Sequence, residues 1–182
     1  MKKVACFVVN GFEELELVAP VDVWRRAGLH VDLISLTNTL DQPLIGRNGI
    51  KIFADCWIEN CESFHYDALF LVGGPGVAIL KESGLVKKWV LEFSENSRVI
   101  AAICAAPLIL AEVGVIDIGT RFTAHFSVIK ELPHALLDQE VVVDNHLITA
   151  RGAAAALSLG FTVLETLLGP QVAAEVGQSI MI

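Results

Sequence analysis

Three side chains of this 182-residue sequence could do covalent chemistry if the fold brought them together: Cys104, Glu16 and His125. Cys104 ends the apolar run Val99-Ile100-Ala101-Ala102-Ile103 and is followed by Ala105-Ala106-Pro107. An apolar strand, then a nucleophile, then small residues and a proline suited to a helix first turn make the layout of a nucleophile elbow, with sulfur replacing a serine hydroxyl. Small neighbours permit the tight turn, and the helix N-terminus is expected to favour thiolate over thiol. The backbone N–H of Ala105, with that of Gly74 from another strand end, would then form an oxyanion hole. The competing reading is a strand-end cysteine buried as a small hydrophobe.

Glu16 is one of three acids, with Glu13 and Glu14, at the start of a helical pattern. Acids there serve the cap or the macrodipole, and Glu13 and Glu14 are assigned to that role. Glu16 lies between Leu15 and Leu17, which suggests burial, and a buried carboxyl tends to stay protonated. It could then hydrogen-bond a thiolate or pass a proton to substrate. His125 follows a short apolar segment and reads either as a satisfied structural residue or as a second proton carrier. The run Gly73-Gly74-Pro75-Gly76 invites a phosphate-loop reading, but no Gly-Lys-Ser/Thr follows, and Ile79 stands where a dinucleotide fingerprint needs its last glycine. The four cysteines have neither a C-x-x-C nor zinc spacing with histidine, so no metal and no organic cofactor is expected.

These residues need a scaffold that gathers them across more than half the chain. Apolar runs over 4–9, 68–72 and 99–103 read as buried strands, and 31–36 as a further strand. Helical patterns over 13–27, 86–96, 107–113, 153–168 and 171–178 alternate with them, and Pro20 should kink the first helix or restart it. Residues 50–53 suggest a small hairpin strand, 55–63 a loop with a short turn, and 121–124, 141–143 and 147–150 further short strands. The class is α/β: a doubly wound, mostly parallel sheet sandwiched by helices, in one domain over 1–182. In such sheets ligands bind beyond the carboxyl ends of the strands. Asn10 to Glu16, Gly73-Gly74, Cys104 and His125 all fall there.

Composition excludes other classes. Hydrophobic residues make up 54% of the chain, too many for disorder. Thirteen Lys+Arg against twenty-one Asp+Glu give a formal charge of −8, with no basic stripe for nucleic acid. The longest apolar stretches, 99–111 and 152–164, fall short of the ~20 residues that span a bilayer. The start, Met1-Lys2-Lys3, runs too soon into Asn10-Gly11 for a signal peptide, so a cytoplasmic protein with free thiols is expected.

Gly11-Phe12-Glu13-Glu14-Leu15-Glu16, Pro20-Val21-Asp22-Val23-Trp24-Arg25-Arg26-Ala27-Gly28, Gly73-Gly74, Ala101-Ala102-Ile103-Cys104-Ala105-Ala106-Pro107, Thr123-Ala124-His125 and Thr149-Ala150-Arg151-Gly152 resemble the DJ-1/ThiJ/PfpI superfamily, its DJ-1 branch most. The resemblance implies a flavodoxin-like sandwich and a homodimer through the first helix, where apolar Leu15, Leu17, Val18 and Trp24 would form an exposed stripe. It implies Cys104 as reactive cysteine, Glu16 as its protonated partner and His125 nearby, with Gly74 and Ala105 giving oxyanion-hole amides. Arg47 and Arg26 match basic residues near the site, in part across the dimer. Activities attributed to the branch are cofactor-free glyoxalase, protein deglycase, and oxidation sensing or chaperoning through cysteine sulfinate. Ala105 stands where the protease-like branch has a histidine, so a peptidase is not expected. The first reading is therefore an enzyme acting on small α-oxoaldehydes or their protein adducts. The alternative is a redox-sensing binding protein or chaperone without obligatory turnover.

Overall fold

The structure is a computed structural model that describes residues 1–182. Nine strands form along the chain: β1 (Lys3–Val8), β2 (His30–Ser35), β3 (Leu44–Ile45), β4 (Lys51–Ile52), β5 (Cys56–Trp57), β6 (Ala68–Leu71), β7 (Val99–Ile103), β8 (Val141–Asp144) and β9 (Leu147–Ala150). Six α-helices accompany them: α1 (Glu14–Arg26), α2 (Val77–Glu82), α3 (Gly84–Glu95), α4 (Pro107–Glu112), α5 (Ala156–Leu168) and α6 (Pro170–Ser179). Seven strands make one sheet in the order β5-β2-β1-β6-β7-β9-β8, parallel except for the β8–β9 hairpin. The two-residue strands β3 and β4 pair separately as a small antiparallel ribbon. No helix is long and apolar enough to cross a membrane.

The two faces of the sheet carry two cores. Along β1, Val4, Cys6 and Val8 point into the core beneath α1 and α5, and Ala5 and Phe7 into that beneath α3 and α4. Period-two alternation with both sets buried is why the strand reads as an unbroken apolar run. Trp24 of α1 packs edge-on to Phe70 of β6, and its indole N–H donates to the Gly160 carbonyl of α5 at 2.8 Å. A Cβ at Gly160 would stand 3.0 Å from Pro20 Cα, so the glycine lets the two helices close on each other.

Several expectations are corrected. Helix α1 runs unbroken through Pro20. Pro20 is buried at that close approach, where packing against α5 offsets the lost backbone donor. Residues 121–124 form no strand, because both sides of β9 are already paired to β7 and β8. The segment bonds side chains instead: Thr123 N–H donates to Thr149 Oγ1 and Arg121 N–H to Asp144 Oδ2. Within 55–63, Cys56 and Trp57 pair with Ile34 and Ser35 as the outermost strand, too short to show a period. Helix α2 was not anticipated. Leu17 and Trp24 belong to the core, leaving Leu15 (63% exposed) and Val18 (50%) as the exposed apolar residues of α1.

Candidate active site

The strand order puts the chemistry at the point where the winding reverses. From β1 the chain proceeds outward to β2 on one side, while β6 takes the other side, so the ends of β1 and β6 open a crevice. The loop after β1 and the Gly73-Gly74 turn after β6 meet there. Glu13 N–H donates to the Gly73 carbonyl at 3.1 Å, and Gly76 N–H to the Gly11 carbonyl at 3.0 Å. Gly74 has φ +94°, and a Cβ on it would lie 2.6 Å from Gly11 O, which only glycine avoids.

Cys104 sits just past β7 with φ +65°, a left-handed conformation costly for any residue with a Cβ. It is held from both sides: its N–H donates to the Ala150 carbonyl at 2.9 Å, and its carbonyl accepts from His125 N–H at 2.8 Å. This is the elbow expected from the sequence. The backbone N–H groups of Gly74 and Ala105 favour the charged form of its sulfur. Thiolate is not, however, favoured outright. The Cys104 thiol is pushed up to about 12, first by burial and then by the charge and hydrogen bond of Glu16, against the pull of the two amides. The adjacent helix is short, and its terminus is outweighed by burial and a facing carboxylate.

Glu16 faces that thiol from the first turn of α1. It is 1% exposed, and its Oε2 has no hydrogen-bond partner. Burial is the main cause that raises its carboxyl to about 7; the Cys104 thiol pulls it down, Glu13 pushes it up, and Gly73 and Arg47 pull it down. Cys104 and Glu16 are thus two acids sharing a dry pocket. When Glu16 carries the proton, its charge no longer opposes ionisation of the thiol, and the Gly74 and Ala105 amides remain to receive the sulfur's charge.

A consequence for stability follows from this carboxyl. Its folded value exceeds its unfolded one, so its contribution is full below about pH 4.5 and is lost as pH rises through about 7. Glu16→Gln, which keeps the shape and removes the titration, is expected to be more stable than wild type at pH 8. The gain is up to about 3 kcal/mol at ~1.4 kcal/mol per pH unit, shrinking toward pH 4. Urea unfolding of both proteins at the two pH values measures it; a pH-independent difference would show that Glu16 is not held protonated.

His125 and Arg47 complete a cavity of about 360 Å³ that also has Glu13, Glu16, Gly74, Cys104 and Ala105 in its wall. The His125 ring is oriented by Ser127: Nδ1 accepts from Ser127 N–H at 3.2 Å and meets Ser127 Oγ at 2.8 Å. An accepting Nδ1 places the proton of the neutral ring on Nε2. In that tautomer Nε2 is the ring's N–H donor. Arg26 is not brought to this cavity; it is exposed on the last turn of α1, its Nε donating to Asp22 Oδ2 at 2.6 Å.

A family model described as the DJ-1/PfpI family matches residues 2–166. The chain belongs to the DJ-1/PfpI family. It is 32% identical over 181 residues to the Parkinson disease protein 7 homolog of Danio rerio, covering 96% of this chain and 94% of that one. It is 30% identical over 162 residues to the glutathione-independent glyoxalase DJR-1.2 of Caenorhabditis elegans, covering 87% and 84%. A Bacillus subtilis relative, 30% identical over 153 residues with 82% of this chain and 89% of that one covered, is named provisionally as a cysteine protease. The crystal structure of Drosophila melanogaster DJ-1beta superposes with a TM-score of 0.91 at 29% identity, covering 100% and 98% of the two chains. The sheet and its flanking helices are accordingly the flavodoxin-like α/β fold.

Two side chains of this DJ-1/PfpI site escaped sequence reasoning. Glu13 caps α1 as expected, accepting from Glu16 N–H at 2.9 Å. Glu14, expected only to serve the cap or the helix dipole, turns away and accepts from Asn48 N–H at 2.7 Å, Asn48 Nδ2 at 2.9 Å and Ile50 N–H at 3.3 Å. It thereby pins the loop that carries Arg47 over the cavity. Ser127, which sets the His125 tautomer, was the other. Glu14 acts through contacts made only by the fold, whereas a Ser two residues after a His is a local signal of the other.

Proposed function

We propose that this protein is a cofactor-free, cysteine-dependent enzyme acting on small α-oxoaldehydes such as methylglyoxal, or on their early adducts with protein. The observation that carries this reading is Glu16: a buried carboxyl raised to about 7, with an unpartnered oxygen, in one cavity wall with Cys104, whose charged form the Gly74 and Ala105 amides favour. A group that exchanges its proton near neutrality suits proton transfer between adjacent carbons. The glyoxalase name of the Caenorhabditis elegans relative supports the same substrate class.

Cys104 sulfur attacks the aldehyde carbon, giving a hemithioacetal whose oxygen lies against the Gly74 and Ala105 N–H groups. Glu16, having given its own proton to the new oxygen, takes the proton from that carbon and returns it to the neighbouring one; the hydroxyl proton passes to the former ketone oxygen, which His125 Nε2–H hydrogen-bonds. The product is a thioester of the 2-hydroxy acid, and water cleaves it to lactate and free thiol. Methylglyoxal plus water gives lactate, an internal redox change with no outside oxidant. Arg47 is assigned to hold the developing anion. The test is lactate formation from methylglyoxal without glutathione, with Cys104→Ser alongside.

The same reading includes a homodimer through α1. Leu15 and Val18 are exposed there, and Ile50 (55% exposed) and Phe53 (58%) are exposed on the small ribbon and its flank. Covering such side chains stabilises an assembly, and Arg26 near the end of α1 would then act across the interface. Light scattering at micromolar concentration is expected to give twice the chain mass, and Val18→Glu to halve it. A wild-type monomer would reject the interface and the role of Arg26.

A further inference from the structure

A second pair of reactive groups lies on the outermost strand. The sulfurs of Cys56 and Cys61 are 3.1 Å apart, and both are free thiols. Cys56 opens β5, and Cys61 closes the 3-10 turn Ile58–Asn60 that follows, its N–H donating to the Ile58 carbonyl at 3.1 Å. The turn folds the chain back so that the two sulfurs touch; the Cys61 thiol also donates to the Trp57 carbonyl at 3.3 Å. Both residues are half-buried.

A polar relay leads away from them. Tyr66 donates its hydroxyl to Asp32 Oδ2 at 2.8 Å, Asp32 Oδ1 meets His30 Nε2 at 2.8 Å, and Cys61 contributes to holding the Tyr66 hydroxyl protonated. The Cys56 thiol is held protonated, by burial first and then by Cys61. None of these residues lines the Cys104 cavity. Both cysteines also pack against the core beneath α3 and α4, with the Cys61 thiol hydrogen-bonded to the Cys56 sulfur. Their geometry is that of a reduced pair one step from a bond.

We propose that Cys56 and Cys61 are a second redox site, a dithiol that hydroperoxides close to an intrachain disulfide. Cys61 sulfur attacks one peroxide oxygen; the O–O bond breaks, water or alcohol leaves, and Cys61 becomes a sulfenic acid. Cys56 sulfur then attacks Cys61 sulfur; the S–O bond breaks and a second water leaves, carrying the Cys56 proton. The two thiols together give up two electrons and two protons, and the hydroperoxide takes both. Closure asks the sulfurs to approach by about 1 Å, to the ~2.05 Å of a disulfide. Contact between them is why oxidation stops there: the sulfenic acid meets a thiol before it meets more peroxide. A thiol reductant reverses the step, so this edge of the sheet records peroxide reversibly and independently of Cys104.

The test uses the full chain carrying Cys104→Ser, so that oxidation of the elbow cannot contribute. Reduced protein is treated with a small excess of hydrogen peroxide, free thiols are alkylated, and trypsin is added. No lysine or arginine lies between Lys51 and Lys81, so both cysteines fall in the single peptide 52–81. The expected product is that peptide lighter by about 2 Da and unalkylated, restored by dithiothreitol. Cys56→Ser and Cys61→Ser should each abolish it and leave the remaining cysteine to take up oxygen. An unchanged peptide, one that only gains oxygen, or one linked to a second chain would overturn the proposal. Mapping of the Cys104→Ser chain alone decides the matter if either added serine variant fails to fold.

Discussion

Cys104→Ser is expected to lower lactate formation from methylglyoxal by at least about a thousandfold, with the loss in kcat. The serine hydroxyl keeps the elbow, with φ +65° and both backbone bonds intact, so the fold is not at issue. The chemistry is. A hydroxyl needs a far stronger base than a thiol, and in this pocket the only group positioned as one is a carboxyl raised to about 7. Glu16 cannot both deprotonate a serine and remain the acid that supports the nucleophile's charge. His125 does not substitute, because its Nδ1 is occupied by Ser127. The measurement is glutathione-free turnover, with the oxidation state of Cys104 checked by mass spectrometry. Wild-type turnover retained in the serine variant would reject covalent catalysis. Absence of turnover in reduced wild type would reject the enzyme and leave the redox-sensing reading, in which protonated Glu16 steadies an oxidised Cys104.

Much of this site was legible before any coordinates. Apolar strand, Cys104, two alanines and Pro107 could be read as an elbow because each feature is local: the turn needs small neighbours, and the helix tolerates proline in its first turn. Burial of Glu16 could be read from its leucine neighbours, although only Leu17 lies in the core and Leu15 is exposed. What could not be read depends on contacts between distant segments. Residues 121–124 have strand composition, yet β9, whose Thr149 they meet, is already paired on both sides. Glu14 and Glu16 are two residues apart on one helix, so they point different ways, one to the Arg47 loop and one to Cys104. Composition alone could not say which acid did which. The thiolate expectation failed for the same reason: a helix terminus is a local signal, whereas the facing carboxylate comes from a helix almost ninety residues earlier.

Gly73→Ala tests whether the Glu16–Cys104 geometry itself is what the site requires. A Cβ at position 73 would overlap the Glu16 Oε2, lie 2.6 Å from Cys104 Cβ and 2.9 Å from the Ile103 carbonyl. The carboxyl could swing aside, being a side-chain end, but Cys104 Cβ and Ile103 O are fixed by β7 and its turn. Relief must therefore come either from Glu16 leaving the thiol or from the β6 and β7 strand ends parting. Overpacking of this kind costs about 1–3 kcal/mol, or roughly 3–10 °C in Tm for a chain of this length. Turnover should fall further than stability does, by about 10²–10⁴-fold, because the displaced group is the proton carrier. Gly84→Ala is the matched control: the first residue of α3 has open space around its Cβ position, and alanine there should be neutral or slightly stabilising. Should Gly73→Ala fold, melt a few degrees low and still turn over methylglyoxal at the wild-type rate, the carboxyl is not needed beside the sulfur. The proton would then have to move by a route that bypasses Glu16.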